Sequence, residues 1–177
     1  MATVTVEARE APAPPTVTGV PAVEFRAAMR QLAASVVVVT VADGPTGFTA
    51  SSFTSVSLDP PLVSFCVDRR SASARTVREA PLFAVNLLGS GQSTVAERFA
   101  RPGDRFAAPT RWEAHPLGPP VLADAAGHLV CARHLVVPLG DHWLVAGLVV
   151  ATRAGAGGPL LYHDRRYGGF SESEAVR

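Results

Sequence analysis

Six apolar or β-branched runs follow one another along this chain with only short helical segments between them. Parallel neighbours in a sheet need a crossover of about a dozen residues or more, usually a helix, whereas antiparallel neighbours need only a turn. A doubly wound sheet is therefore excluded, and the pattern predicts a mainly β fold: an antiparallel barrel with short flanking helices on its outside. The runs are residues 35–42 (SVVVVTVA), 47–58, 62–67 (LVSFCV), 82–88 (LFAVNLL), 127–137 and 142–152. Asp43-Gly44-Pro45 turns the first run into the second as a hairpin. Pro60 and Pro61 cannot donate to a ladder and so cut the second run from the third. Residues 138–141 (PLGD) join the last two runs as another hairpin, and a short apolar piece, 159–162, follows.

The helical signals are brief. Phe25, Ala28, Met29 and Leu32 recur at helical spacing after Pro21, which predicts an opening amphipathic helix. Ser73 is an N-cap candidate for ARTVREA, and Thr94 with Glu97 fits a capping box for a helix through Phe99. Residues 101–120 are too rich in Pro and Gly to be regular. The expected organisation is a flexible tail over residues 1–21, one domain over 22–171, and a short C-terminal tail over 172–177.

Composition narrows the function classes. The 177 residues are 47% hydrophobic and 18% charged, which suits one globular domain with a sizeable core. With 16 Lys+Arg against 15 Asp+Glu the formal charge is +1, so neither nucleic acid nor an anionic membrane is an expected partner. The apolar runs fall short of the roughly 20 residues that cross a bilayer, and the N-terminus lacks the cationic and apolar blocks of a signal peptide. The expected compartment is the cytoplasm. Cys66 and Cys131 sit inside apolar runs; a disulfide is open to them, but buried free thiols are the expectation there. His128 and His134 have no third ligand nearby, so no metal site is expected.

One stretch is at odds with a purely structural strand. Residues 46–57 (TGFTASSFTSVS) carry seven hydroxyl side chains in twelve residues. Serine is an indifferent strand former, and each hydroxyl needs a partner once out of water. Solvent or a polar ligand must supply it.

The fragments FRAAMRQLAASVVVVTV, GFTASSFTSVSLDPPLVSFCV, FAVNLL, AERFA, GDHWLVAGLV and PLLYHDRRYG occur in that order. Together they resemble the short-chain flavin reductase family, the reductase components of two-component flavin-dependent monooxygenases, over about residues 23–170. The resemblance implies a flavin-binding antiparallel split β-barrel, usually a homodimer, that uses NADH or NADPH to reduce FMN or FAD. It implies a monooxygenase or halogenase as recipient of the reduced flavin. A flavin-binding electron-transfer protein of the same fold, holding its flavin permanently, is the alternative.

The same resemblance assigns residues. Gly47, Phe48, Thr49, Ala50, Ser51 and Ser52 lie along the flavin, so that the ligand partners the hydroxyls. Cys66, Val67, Asp68 and Ser73 match contacts near the ribityl and phosphate end, with Ser71 as the alternative to Ser73. Arg98 and Phe99 match a further flavin pair. His142, Arg166 and Tyr167 match nicotinamide-side positions, although Gly-Asp-His is also good turn chemistry by itself. No catalytic acid, base or nucleophile is implied, because both cofactors bring their own electronics and the protein positions them.

Overall fold

The fold is that of a computed structural model, which describes residues 18–42 and 45–171. Residues 1–17 of the expected N-terminal tail, the expected tail 172–177, and the turn residues Asp43 and Gly44 lie outside the described residues. Helix α1 (Ala22–Met29) precedes strands β1 (Ala34–Ser35), β2 (Val37–Val41), β3 (Thr46–Ala50), β4 (Thr54–Leu58) and β5 (Pro61–Asp68). Helix α2 (Ala74–Glu79), β6 (Leu82–Leu87) and helix α3 (Ser93–Ala100) follow. The chain ends with β7 (Trp112–Ala114), β8 (Pro120–Leu122), β9 (Gly127–Leu139), β10 (His142–Ala154), β11 (Leu160–His163) and β12 (Arg166–Gly169).

Seven strands form the main sheet in the order β3-β2-β6-β9-β10-β5-β4, and every ladder in it is antiparallel. β1, β11 and β12 make a small second sheet, and β7 pairs with β8. Both expected hairpins are present. Val37 faces Ala50 and Val41 faces Thr46 in the first, and His142 faces Leu139 at the turn of the second.

The expectation of one strand over residues 47–58 is corrected. That run splits into β3 and β4, which are the two opposite outer strands of the sheet, and residues 51–53 carry the chain from one edge to the other. Strand-forming composition continues through the break, but the ladder does not: the Ser52 hydroxyl takes the place of a strand neighbour for Cys66. Its Oγ accepts from the Cys66 N–H at 2.9 Å and donates to the Cys66 carbonyl at 3.3 Å.

β2 is buried at every position, which accounts for a continuous valine run in place of alternation. On one side Val37, Val39 and Val41 join Phe65, Phe83, Val85 and Val145. Phe83 meets Phe65 edge to face at 5.2 Å, and Phe48 of β3 reaches Phe65 of β5 at 5.9 Å, so the outer strand β3 packs across the sheet's concave interior. On the other side Val36 and Val38 pack with Leu88, Phe99 and Leu160 under α3 and the small sheet. Asn86, fully buried on β6, satisfies its whole amide. Its Nδ2 donates to the Val38 carbonyl at 3.0 Å and to Thr40 Oγ1 at 3.2 Å, and its Oδ1 accepts from the Leu122 N–H at 2.8 Å. One side chain thereby ties β2, β6 and β8 together.

The helices differ from expectation in their caps. Ser73 makes no side-chain cap bond to α2, and its N–H is instead held by the Ser71 hydroxyl at 3.3 Å. α3 begins at Ser93 after Gln92, with no side-chain cap, so the Thr94–Glu97 box is not formed; Gln92 Oε1 accepts from the Gly89 N–H. Glu97 pairs with Arg101 one turn on, at 3.7 Å. α1 forms as expected but buries none of its residues, leaving Phe25, Met29 and the nearby Leu32 exposed. No helix among the described residues is long and apolar enough to cross a membrane.

Both cysteines are free thiols. Burial pushes the Cys131 thiol from its ordinary value of 9.0 up to about 12. Between these values the unfolded chain has lost the proton and the folded chain keeps it, so folding stability falls as pH rises from 9.0 to about 12. The slope from this group approaches about 1.4 kcal/mol per pH unit. Urea titrations over that range should show a shallower decline for Cys131→Ala than for the natural chain; parallel declines would refute the assignment.

Candidate functional site

Because the sheet's two outer strands are consecutive in the chain, the link between them borders an opening. A cleft of about 380 Å³ lies there, within the range of about 300–1,000 Å³ usual for small-ligand sites. β3 lines it with Phe48, Thr49 and Ala50, and the link adds Ser51 and Ser52. The end of β5 supplies Cys66, Val67 and Asp68, α3 supplies Phe99, and β10 supplies His142. A larger depression of about 660 Å³ lies elsewhere, by α2 and residues 117–119, but its charged groups Arg75 and Glu79 are paired with each other at 3.3 Å. The smaller cleft has the more convergent chemistry.

The hydroxyls divide by role. Thr49 Oγ1 donates to the Ala96 carbonyl of α3 at 2.6 Å, and Ser52 is engaged with Cys66. The exposed Ser51 hydroxyl has no partner among the described residues. Burial pushes the Cys66 thiol above its ordinary range, so this side chain stays an uncharged thiol at physiological pH. The Arg70 backbone N–H, at 2.8 Å, and then the Arg70 guanidinium hold the Asp68 carboxyl below the usual carboxylate range. His142 Nδ1 lies 2.6 Å from Asp141 Oδ1, and this hydrogen bond lowers the Asp141 carboxyl.

Gly47 stands behind the wall. A Cβ there would lie 2.9 Å from both the Phe99 ring and the Val39 carbonyl, so the glycine allows α3 to close on β3. Ser73 is buried beside the cleft with Ser71 as the lining residue, and Arg98 turns away: its Nη1 donates to the Ala107 and Ala108 carbonyls at 3.1 and 3.2 Å. That contact fixes the loop after α3, and the loop delivers Arg105 into the cleft. Sequence reasoning missed Arg105. The signal was a second Arg-Phe dipeptide, Arg105-Phe106, seven residues after Arg98-Phe99. The two phenylalanines pack edge to face at 5.2 Å, and Trp112 closes on Phe106 at 5.5 Å, which anchors the loop. Arg166 and Tyr167 are not brought to this cleft. They line a separate depression of about 410 Å³ on the small sheet, with Tyr167 against Tyr162.

The family model described as a flavin reductase like domain matches residues 29–171. The chain belongs to this flavin reductase family. An NADH:FMN oxidoreductase of Rhodococcus qingshengii is 43% identical to it over 158 residues, 85% of this chain and 82% of the relative. The reductase subunit of a flavin-dependent monooxygenase from Rhodococcus jostii (strain RHA1) is 34% identical over 156 residues, 86% of this chain and 80% of the relative. The NADH:FAD oxidoreductase of Streptomyces globisporus, solved in complex with NAD and FAD fragments, superposes with a TM-score of 0.82 at 34% identity, covering 86% of this chain and 94% of that one.

In this flavin reductase chain the Ser52–Cys66 contact is a seam between the link and β5, and it is testable apart from any ligand. Ser52→Ala should destabilise the protein by about 1–2 kcal/mol and speed hydrogen exchange at the Cys66 amide. Ser52→Thr, which keeps the hydroxyl, should restore most of both. Natural exchange protection in the alanine variant would show that the seam does not depend on this hydroxyl.

Proposed function

We propose that the chain is an NAD(P)H:flavin oxidoreductase that reduces FMN or FAD and supplies the reduced flavin to a separate monooxygenase or halogenase. The observation that carries this reading is the cleft wall of residues 48–52: hydroxyls and backbone groups along one edge, with the Phe48 and Phe99 rings beside them. That donor set fits an isoalloxazine, which has polar atoms along its edge, apolar faces, and a ribityl chain of oxygens. The flavin, when bound, supplies the two-electron chemistry with the nicotinamide as donor. The chain's own residues bind and orient. In this reading Ser51 and the backbone of Thr49 and Ala50 meet the flavin edge, Ser52 holds the wall in shape, and His142 faces the nicotinamide. Arg166 and Tyr167 stay outside the cleft. The relatives' activities and the shared fold support the same reading.

The finer architecture belongs to the proposal too. The curled main sheet is read as a split barrel within one domain over residues 22–171, working in the cytoplasm. A homodimer is proposed because Phe25 is 56%, Leu32 64% and Leu58 93% exposed, more apolar side chain than one copy covers. Light scattering at micromolar concentration should give about twice the chain mass of 18.5 kDa. A monomer at that concentration would remove the dimer from the reading.

Steady-state NADH or NADPH oxidation should rise with added free FMN or FAD and saturate. A rate independent of added flavin, in a protein that keeps its flavin through gel filtration, would favour the alternative of an electron-transfer protein. His142→Ala should raise KM for the nicotinamide several-fold with flavin affinity unchanged. Kinetic constants within about twofold of natural would leave His142 as a turn residue.

A further inference from the structure

His142 sits at the end of two ladders at once. It faces Leu139, the last residue of β9, and Asp68, the last residue of β5, so no rung lies beyond it on either side. The turn that precedes it is exposed at Leu139, Gly140 and Asp141. A strand end held from one direction only is prone to fray, and a side chain carried there loses its aim.

Arg69, the first residue after β5, supplies the missing hold. Its N–H donates to the Asp141 carbonyl at 3.0 Å, and its Nη1 donates to the Gly140 carbonyl at 3.3 Å. Its guanidinium carbon also lies over the Trp143 ring, 5.0 Å from the centroid, inside the reach of about 6 Å over which a cation is drawn to a ring face. Arg69 thus grips the chain on both sides of His142, and none of these contacts is to the imidazole. Successive strand residues point to opposite faces: His142 lines the cleft, while Trp143 packs against the core. Arg78 of α2 places a second guanidinium 5.0 Å from the same ring centroid, and its carbonyl accepts from Arg133 Nη1 at 2.6 Å. No ion pair among the described residues involves Arg69, since Asp68 is taken by Arg70 and Asp141 by His142. Its charge is spent on a ring face and a carbonyl together, a task that suits a planar fork better than a point charge.

We propose that Arg69 is a positioning residue for nicotinamide binding: by clamping Gly140, Asp141 and Trp143 it holds the His142 ring where it meets the nicotinamide in the cleft. This rests on the flavin reading and on the place given to His142 in it. Arg69 is not one of the residues lining the cleft, and its bonds go to the hairpin turn, not to the hydroxyl wall of residues 48–52. It acts only through the histidine.

The test is a double-mutant cycle on the full chain, with whichever of NADH and NADPH the natural protein oxidises faster and with the FMN dissociation constant measured by fluorescence on each variant. Arg69→Ala removes the side-chain contacts and keeps the backbone bond. It should raise KM for the nicotinamide by about three- to fivefold, no more than His142→Ala does, with kcat and FMN affinity within about twofold of natural. Arg69→Lys, which keeps the charge and loses the fork, should fall between. In the His142→Ala background Arg69→Ala should add nothing further to KM, because the group it positions is gone. Two increases that simply add, or a natural KM in Arg69→Ala, would overturn the role. An equal loss of FMN affinity would assign Arg69 to the general structure of the cleft and overturn it as well. A natural KM in His142→Ala would remove His142 and Arg69 together while flavin-stimulated nicotinamide oxidation still stood. A natural chain without that oxidation would overturn the flavin reading, and the role with it.

Discussion

Three residues, 51–53, must carry the chain from one outer strand of a seven-stranded sheet to the other. Laid flat, the outer strands of such a sheet stand about 29 Å apart at the usual spacing between neighbours. The four peptide steps from Ala50 to Thr54 reach about 14 Å at full extension. The sheet has no choice but to curl, and the curl creates both an inside and a gap. Phe48, Phe65 and Phe83 fill the inside as a run of ring contacts. The cleft occupies the gap, with the link for one wall.

The same constraint explains which parts of the fold can be read from sequence. β2 and β6 are largely buried and β5, β9 and β10 carry buried stretches, and the Val, Leu, Phe and Cys content of these runs marks them directly. The division of residues 47–58 is not marked, because Thr, Ser and Phe suit a strand and a link equally well; a non-local hydroxyl contact with Cys66 decides it. The helix caps fail for a related reason. Ser73 and Thr94 have the right residue type, but Arg105 competes for the Ser73 hydroxyl and the Gln92 turn sets where α3 begins. β7 and β12 are short and polar or loop-like in composition, and β8 is three apolar residues opening on a proline, so only their partners reveal them.

The site shows the same division. Phe48, Thr49 and Ala50 converge with Cys66, Val67 and Asp68 because they lie on strands whose runs and turns are marked in the sequence, and Ser51 and Ser52 follow on the link that continues β3. Arg98 and Arg105 carry the same neighbour, Phe, but Arg98 sits on α3 and Arg105 on the irregular loop after it, whose path brings Arg105 to the cleft. That path is set by Phe99, Phe106 and Trp112 stacking edge to face, a tertiary event with no local signature. The seven hydroxyls of residues 46–57 also prove to be several solutions. Thr49 braces α3, Ser52 closes the seam, and Ser51 remains open toward the cleft.

The open border at β4 has a further consequence. An outer strand is a template on which a foreign chain can extend the sheet, and a long, flat, apolar one invites aggregation. β4 is five residues long, its pairing with β5 is interrupted between Ser55 and Ser57, and two prolines follow it. Thr54 and Ser55 are both exposed at that border, with the Thr54 hydroxyl donating to the Ser55 carbonyl at 3.3 Å. The composition that furnishes a cleft wall at one end of the segment therefore leaves, at the other, an irregular and exposed margin on which an incoming strand finds little continuous register.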